Sequence, residues 1–266
     1  VGTVTVVIKS ANYEDITLTI NVSAKNKLSP VLAGTLTLTP IKITYGEPLS
    51  KIKITGTMKA GDTVVEGTFS WQQPGDTILD ASTSGHDVGW TFTPKDGNTY
   101  TEVTGTVKVP VAPKSIEGAA ITLEKYEFQY NAAEQSPRIT GVTLEDWSET
   151  RITYDIKSGD KATNANDSIP LTIEGTGNYT GTAMVEWKIT PKTVTPTIEV
   201  EPCTYTGDAL KPTVTVKDDI GNIIDQKEYE IFYSNNTNAG TATVTIKDAD
   251  GGNYVLSEAS KTFEIT

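Results

Sequence analysis

The sequence is poor in the residues that carry most enzymatic and metal chemistry. It has one cysteine and one histidine in 266 residues. A single cysteine excludes an internal disulfide, so the stability of the chain must come from apolar cores and sheet pairing. No nucleophile motif or metal-ligand spacing accompanies His86, and no histidine lies near Cys203 in the sequence. We therefore predict no catalytic residues, no cofactor and no enzymatic activity.

Long apolar runs and clusters of basic residues are also missing. No segment approaches the roughly 18 apolar residues that a membrane-spanning helix needs, so no membrane insertion is predicted within this segment. The formal net charge is −12. Because affinity for nucleic acid depends mainly on Lys and Arg that neutralise phosphates, this charge argues against a nucleic-acid partner.

The residues that are abundant are those of β-strands. Apolar residues make up 36% of the chain, and Val, Ile and Tyr alternate with many Thr, which is typical of strands. In residues 177–192, GNYTGTAMVEWKITPK, the apolar residues Val185, Trp187 and Ile189 occupy every second position and alternate with Glu186 and Lys188. This period of two indicates a strand with one buried face, and Pro191 ends it because proline has no amide hydrogen.

Residues 177–192 have recognisable counterparts along the chain. An Asn-Tyr marker, once in the form Asn-Thr-Tyr, begins at Asn12, Asn98, Asn178 and Asn253, at spacings of 86, 80 and 75 residues. A second marker, a tyrosine followed by a turn, lies at Tyr45, Tyr130 and Tyr205. Such regular spacing predicts a tandem repeat.

Short linkers that contain proline separate the repeats at 23–30, 110–115 and 190–193. We place boundaries near 27, 113 and 192. Residues 1–27 are then the C-terminal hairpin of a truncated repeat, followed by repeats at 28–113, 114–192 and 193–266. We call these the N-terminal hairpin and the second, third and fourth repeats. Linkers this short should be semi-rigid.

The number of strands per repeat predicts the fold class. Five to seven short strands, bounded by Gly, Asn and Pro, are typical of small antiparallel immunoglobulin-like β-sandwiches. We therefore predict an all-β chain in which such repeats form an elongated array. The alternative is β-grasp-like repeats, which need a helix, and the helix candidates are residues 131–136 and 208–210.

The N-terminal hairpin is predicted to have one apolar face without an opposing sheet. That face carries Val4, Val6, Ile8, Leu18, Ile20 and Val22. A lone two-stranded hairpin is marginal in water. We therefore predict that this face docks on the next repeat or on another chain.

Residues 205–254, YTGDALKPTVTVKDDIGNIIDQKEYEIFYSNNTNAGTATVTIKDADGGNY, resemble the immunoglobulin-like repeats, including the MBG type, of bacterial cell-surface proteins. Residues 67–74, GTFSWQQP, and 90–109, WTFTPKDGNTYTEVTGTVKV, are similar to a sister repeat type. The resemblance covers essentially the whole chain, and the family has no catalytic residues to carry over.

The resemblance implies an extracellular segment of a bacterial surface protein, associated with the cell surface or cell wall. Such repeats serve as stalks or spacers and contribute to adhesion. Two alternatives stay open. One is a binding module whose partner is a host or cell-wall glycan or a surface protein, and the other is an accessory segment of a surface hydrolase.

Cys203 and His86 have structural interpretations. Cys203 lies two residues before Tyr205, and the same offset from the other marker tyrosines gives Ile43 and Phe128. Cys203 is therefore predicted to be a buried, inert thiol in an apolar position. His86, in STSGHDVG, is predicted to lie in a surface loop.

Two candidate ligand sites follow from local patterns. Asp248, Asp250 and Asn253, in KDADGGNY, resemble part of a calcium loop, although the late glutamate and a full set of oxygen ligands are missing. Trp147 has acidic neighbours and no apolar counterpart in the other repeats. It is the tryptophan predicted to lie near the surface and the candidate ligand-binding residue, whereas Trp90 and Trp187 align with core positions.

Overall fold

The structure is a computed structural model that describes residues 2–23, 26–145, 147 and 151–266. In these residues the chain is all-β and consists of tandem immunoglobulin-like β-sandwich repeats. The helix that the β-grasp alternative needs is not found there, since the helical segments described are two 3₁₀ turns, Leu49–Lys51 and Gln226–Glu228. None of the described helices is long and apolar enough to cross a membrane.

The chain divides into two compact units, Val1–Lys114 and Ser115–Thr266. The first unit begins with the N-terminal hairpin, in which β1 (Gly2–Ile8) pairs antiparallel with β2 (Ile16–Val22). All residues of both strands are exposed. The six apolar side chains predicted to dock on the next repeat are 42% to 54% exposed, so that docking is not formed. Docking on another chain stays a prediction.

The second repeat is built around a four-stranded sheet. Its strands are β3 (Val31–Leu32), β4 (Thr37–Thr39), β5 (Ile43–Thr44), β6 (Lys53–Thr55), β7 (Met58–Ala60), β8 (Thr63–Val65), β9 (Gly67–Trp71), β10 (Ser82–Pro94) and β11 (Val103–Ala112). The main sheet has the order β5-β11-β10-β9, and smaller sheets are β3-β7-β8 and β4-β6. One core cluster contains Leu49 and Val109, and another contains Trp90 and Phe92.

His86 lies in strand β10, so the prediction of a loop was wrong. The pairing of β10 with β11 shifts its register between Ser82 and His86, and this irregular stretch contains Gly85 at φ 78°. The turn-like letters around His86 therefore belong to an irregularity within a strand. His86 Nε2 lies 2.7 Å from the carbonyl oxygen of Asp80.

The third repeat has the same plan. Its strands are β12 (Lys114–Ser115), β13 (Ala120–Leu123), β14 (Glu127–Gln129), β15 (Ile139–Thr143), β16 (Tyr154–Ser158), β17 (Asn166–Gly175), β18 (Tyr179–Thr180) and β19 (Thr182–Thr190). The main sheet has the order β14-β19-β17-β16, and β13 pairs with β15 in a second sheet. Leu171, Ile173, Trp187 and Ile189 are at most 2% exposed and form the centre of the core.

The fourth repeat repeats the plan again. Its strands are β20 (Lys192–Val194), β21 (Thr197–Val200), β22 (Val214–Lys217), β23 (Tyr229–Ser234), β24 (Gly240–Asp248), β25 (Tyr254–Leu256) and β26 (Ala259–Ile265). The sheet β23-β24-β26 packs on the pair β21-β22, so that Ile198 and Val216 meet Val244, Ile246 and Phe263 in one core.

The tyrosine marker reflects a parallel pairing that recurs in each complete repeat. Ile43 pairs with Val111, Phe128 with Ile189, and Cys203 with Ile265. The amide of the marker tyrosine then donates to the end of the last strand, as Tyr130 does to the carbonyl of Thr190. Cys203 therefore lies where Ile43 and Phe128 lie, packed against the core, but it is half-buried rather than fully buried.

The Asn-Tyr marker reflects a second parallel pairing. Lys192 in β20 pairs with Tyr254 in β25, and Leu28 forms an isolated parallel bridge with Tyr100. In the third repeat the amide of Ile116 donates to the carbonyl of Thr180, directly after Tyr179. Residues in the linker or directly after it are thus held beside the marker of the repeat that they lead into.

Candidate functional site at the junction of two repeats

Three buried polar residues identify the most constrained place among the described residues. Asp218, Glu228 and Asn253 are 4%, 3% and 8% exposed, and all belong to the fourth repeat. Burial of a polar group costs free energy unless the group is hydrogen-bonded, and burial of a charge costs more. The hydrogen bonds and ion pairs of these three residues must therefore offset the cost of their burial.

Glu228 closes the turn that contains the Asn-Tyr marker. It ends the 3₁₀ turn Gln226–Glu228, which Asp225 caps by accepting a hydrogen bond from the amide of Lys227. Glu228 Oε2 accepts from the amide of Asn253 at 2.5 Å, and Oε1 accepts from Asn253 Nδ2 at 2.8 Å. Both carboxylate oxygens are thus engaged with the same residue, which fixes the amide plane of Asn253.

Asn253 carries this constraint across to the third repeat. Its Oδ1 accepts a hydrogen bond of 2.7 Å from the amide of Ala165, and its Nδ2 lies 3.4 Å from Asn164 Oδ1. Ala165 belongs to the segment that leads into β17. One side-chain amide therefore joins the backbone of the third repeat to a buried carboxylate of the fourth.

A pair of tyrosines forms a second contact between these repeats. The rings of Tyr130 and Tyr254 lie edge to face, with centroids 5.3 Å apart and an interplanar angle of 77°. Aromatic pairs favour this arrangement because the positive ring edge meets the negative ring face. Burial raises the pKa of Tyr254, with Tyr130 and Asp218 adding to the effect.

An ion pair fixes the exit of the linker. Lys192 directly follows Pro191, and its Nζ lies 3.2 Å from Asp218 Oδ2 and 3.4 Å from Asp219 Oδ1. Asp218 Oδ1 accepts from the amide of Asn222 at 2.8 Å. Asp218 therefore organises the turn after β22 and holds the first residue of β20.

The charges of this pair support each other. Burial opposes ionisation of Asp218, but hydrogen bonds from the amides of Asn222 and Ile220 and from Lys192 more than offset it and hold the pKa of Asp218 below 3.8. The hydrogen bond to Asp218 raises the pKa of Lys192 above 10.5, against a smaller opposing effect of burial. Both groups are charged near neutral pH.

The buried polar groups at the junction bond to each other and to the backbone of the two repeats. Within the described residues no group of three or more His, Cys, Asp or Glu side chains is arranged to hold a metal ion. Of the predicted calcium candidates, Asp248 and Asp250 are exposed, whereas Asn253 is buried and its oxygen accepts from Ala165. The carboxylate oxygens of Glu228 are both engaged by Asn253.

Trp147 bonds to a tyrosine of its own repeat. It is half-buried, and its Nε1 donates to the hydroxyl of Tyr179 at 3.2 Å. Tyr179 is 4% exposed, so its ring is buried while its hydroxyl accepts this hydrogen bond. Residues 146 and 148–150 lie outside the described residues. Ligand binding by Trp147 stays a prediction.

Trp90 and Trp187, which the comparison of repeats aligns with core positions, are buried. Trp90 and Trp187 are 4% and 2% exposed. Trp187 Nε1 donates to the carbonyl of Gly159 at 2.6 Å. The comparison of repeats in the sequence therefore assigned both rings to the interior correctly.

Sequence reasoning named Asn253 as a calcium candidate and not as a residue of this junction, and it missed Lys192, Asp218 and Glu228. Signals for two of them exist. PKSI at 113–116 and PKTV at 191–194 repeat a lysine after the linker proline, and DQKE at 225–228 has the spacing of a helix-capping box. Neither pattern indicates that the partner lies about 25 residues or more away along the chain.

Comparisons with known proteins add little. No protein-family model matches the chain, and no curated protein sequence matches it significantly. Among solved structures it is similar to protocadherin gamma B2 extracellular cadherin domains 3–6, at 13% identity and a TM-score of 0.24, over 99% of this chain and 83% of that chain. A likeness at this TM-score carries no weight for function.

Proposed function

We propose that this chain is a non-enzymatic, extracellular repeat segment of a bacterial surface protein and that it acts as a spacer. The observation that carries the proposal is the bridge through Asn253. A spacer works only if successive repeats keep their mutual orientation, and Asn253 joins the third and fourth repeats through Ala165 and Glu228.

The other contacts support the same role. The Tyr130 and Tyr254 rings meet beside the bridge, and Lys192 is held by Asp218 one residue after the linker proline. The tyrosine pair joins the two repeats, and the ion pair fixes the end of the linker to the fourth repeat. Stability in repeat proteins is approximately a sum of repeat and interface terms, so the interface is separable from the folding of each repeat.

The test is Asn253→Ala in the full chain. The variant removes the side-chain bonds of Asn253 to Ala165, Asn164 and Glu228 Oε1 and keeps the bond from its backbone amide to Glu228 Oε2. We expect the two repeats to reorient while each stays folded. Residual dipolar couplings measure this directly, because the third and fourth repeats share one alignment tensor when they are fixed and have different tensors when they move independently.

Asn98→Ala is the matched control, since Asn98 begins the marker of the second repeat and is exposed. It should leave the couplings of the third and fourth repeats unchanged. Two different tensors in the unmodified chain would overturn the spacer proposal.

A second candidate function is protein binding at open strand edges. In the third repeat a groove of about 400 Å³ lies between β15 and β16 and includes Val142 and Ile152. In the fourth repeat a groove of about 560 Å³ lies between β22 and β23 and includes Val214 and Tyr229. Edge strands offer unpaired backbone groups that can accept an added strand.

Binding of the full chain to arrays of glycans and of surface proteins tests this candidate. Protein binding that survives Trp147→Ala supports the strand edges, whereas glycan binding that Trp147→Ala abolishes supports the tryptophan. Absence of binding to either array removes the candidate.

A further inference from the structure

Strand β16 is the open edge of the main sheet of the third repeat. It pairs with β17 on one side, and none of the described residues pairs with it on the other side. An edge strand presents unpaired backbone amides and carbonyls, which can pair with a strand of another molecule. The central residues of β16 are Asp155-Ile156-Lys157. They give this edge a pattern that the edges of the other two complete repeats lack.

The three complete repeats can be aligned at this edge through a backbone hydrogen bond that they share. That bond joins the amide and carbonyl of Lys95 and Glu66, of Thr176 and Thr153, and of Ala249 and Glu228. The triplets that begin two residues after the accepting residue are Thr68-Phe69-Ser70 in β9, Asp155-Ile156-Lys157 in β16 and Glu230-Ile231-Phe232 in β23. Of the three triplets, the one in β16 alone has opposite charges on the two sides of an apolar residue.

The central apolar residue of β16 is also more exposed than its counterparts. Ile156 pairs with Ile173, which is 0% exposed, so both side chains lie on the core side of the sheet. Ile156 is nevertheless 48% exposed, whereas Phe69 and Ile231 are partly buried against the cores of their repeats. About half of this apolar side chain is therefore left for a partner to cover.

The charges on the other face of β16 are not balanced within the chain. Asp155 lies opposite Glu174 in the register of β16 and β17. Like charges directly opposite each other on a sheet are destabilising. Lys157 forms an ion pair with Glu174, and the ion pairs among the described residues include none with Asp155. A cation placed opposite Asp155 from outside the chain would therefore be favourable.

An antiparallel pairing of two β16 strands supplies that cation. A two-fold axis through the pair places Ile156 of one copy opposite Ile156 of the other. Asp155 of each copy then lies opposite Lys157 of the other copy, so the pair of strands has two such contacts. A lysine on an edge strand commonly prevents pairing with a further strand. In this register it faces a carboxylate and favours pairing instead.

We propose that β16 pairs antiparallel with β16 of a second copy of this chain, in the register centred on Ile156. The inference rests on the second candidate function, protein binding at open strand edges, and names the partner. The strand has five residues, and its register with β17 shifts between Ile156 and Ser158, so the contact is short. It buries well below the roughly 800 Å² per partner of a standard interface, so the association is weak.

Sedimentation equilibrium of the full chain at several concentrations measures this association. We expect a monomer–dimer equilibrium that high salt weakens, because exposed charge pairs are screened. Asp155→Lys turns both attractive contacts into repulsive ones and should raise the dimer dissociation constant at least about tenfold. The double variant Asp155→Lys, Lys157→Asp restores opposite charges across the axis and should restore the dimer.

Two further measurements make the result specific to β16. Glu230→Lys is the matched control, since Glu230 is the counterpart of Asp155 on β23 and the change in net charge is the same. It should leave the dissociation constant unchanged. A mixture of Asp155→Lys and Lys157→Asp chains should form a mixed dimer more tightly than either variant pairs with itself, because one edge is then positive and the other negative. Thermal unfolding verifies that each variant is folded.

The proposal is overturned if the unmodified chain stays monomeric up to about 1 mM. It is also overturned if a dimer forms and Asp155→Lys leaves its dissociation constant unchanged, since the contact then lies elsewhere on the chain. A monomeric chain that binds a surface protein on the array overturns the second copy as partner and leaves the second candidate function standing. None of these outcomes depends on the spacer role of the third and fourth repeats.

Discussion

The N-terminal hairpin and the hairpin of β24 and β26 have similar first strands in two environments. Residues 2–9 and 240–247 are identical at six of eight positions, whereas Ile16–Val22 and Ala259–Ile265 share one residue of seven. Gly2 pairs with Val22 as Gly240 pairs with Ile265, so Val6 corresponds to Val244 and Ile20 to Phe263. Both adopt the same antiparallel register, yet the first is exposed on both faces and the second is buried on one. The difference shows which properties are local. Alternation of Val, Ile and Thr is enough to set the register of the two strands. The side chains that bury one face of the second hairpin lie on strands about 20 to 60 residues away along the chain.

The largest expected difference between the two hairpins comes from an aromatic residue. Phe263 is 4% exposed and lies with its ring 6.4 Å from that of Tyr233. Phe263→Ala should destabilise the fourth repeat by about 3–5 kcal/mol, because it removes a large apolar side chain and leaves a cavity. Ile20→Ala, at the corresponding position, should change stability by less than about 0.5 kcal/mol.

Hydrogen exchange of the β24 amides measures the first effect, and exchange of the amides in 2–22 measures the second. Equal losses at the two positions would contradict the assignment of Ile20 to an open face.

A smaller difference in stability is expected when the same substitution, Val to Ala, is made in each of the two hairpins. Val244 is 0% exposed and Val6 is 42% exposed, and the two occupy equivalent positions. Val244→Ala should cost about 2 kcal/mol through lost burial and a residual cavity. Val6→Ala should cost less than about 0.5 kcal/mol. Urea unfolding monitored by NMR of each region gives both values.

The smallest expected effect is a pH dependence of stability that the fourth repeat has, through Asp218 and Lys192, and the N-terminal hairpin lacks. The pKa of Asp218 is lower in the folded state than its ordinary value of 3.8, so its contribution is present above that value and is lost as pH falls through the folded pKa. The pKa of Lys192 is raised, so its contribution is present below 10.5 and is lost as pH rises through the folded pKa. The pair therefore stabilises the fourth repeat between these limits.

Lys192→Met should weaken the acid-side dependence of the fourth repeat, because it removes one of the donors that hold the pKa of Asp218 down. Thermal unfolding of both proteins from neutral pH to about pH 2.5 tests this. Exchange in the N-terminal hairpin, which has no such pair among its described residues, should respond equally to pH in both proteins.

The sequence was sufficient to predict features that arise from short-range patterns. The strand predicted to end at Pro191 is Thr182–Thr190 in the structure, and the hairpin predicted within residues 1–27 is formed by Gly2–Ile8 and Ile16–Val22. Comparison between repeats also assigned Cys203 to the position of Ile43 and Phe128, and all three pair with the last strand of their repeat. Alternation and turn residues report on neighbouring positions, so they are reliable at this range.

Features that depend on distant partners were missed or wrong. The two-residue strand Tyr179–Thr180 is too short to show alternation, and the ties of Lys192 to Asp218 and of Glu228 to Asn253 span 26 and 25 residues. The hairpin was expected to dock on the next repeat or on another chain, and its six apolar side chains are exposed in this chain. His86 was misplaced because an irregularity within a strand has the composition of a loop.

The parallel pairing near the tyrosine marker has a mechanical consequence. In each complete repeat a segment near the start lies parallel to the last strand, as Glu127–Gln129 does beside Lys188–Thr190. The end at which the early segment enters and the end at which the last strand leaves are therefore at opposite ends of the pair. Tension applied through the chain slides the two segments past each other and strains their hydrogen bonds together, whereas an antiparallel pair would open one bond at a time.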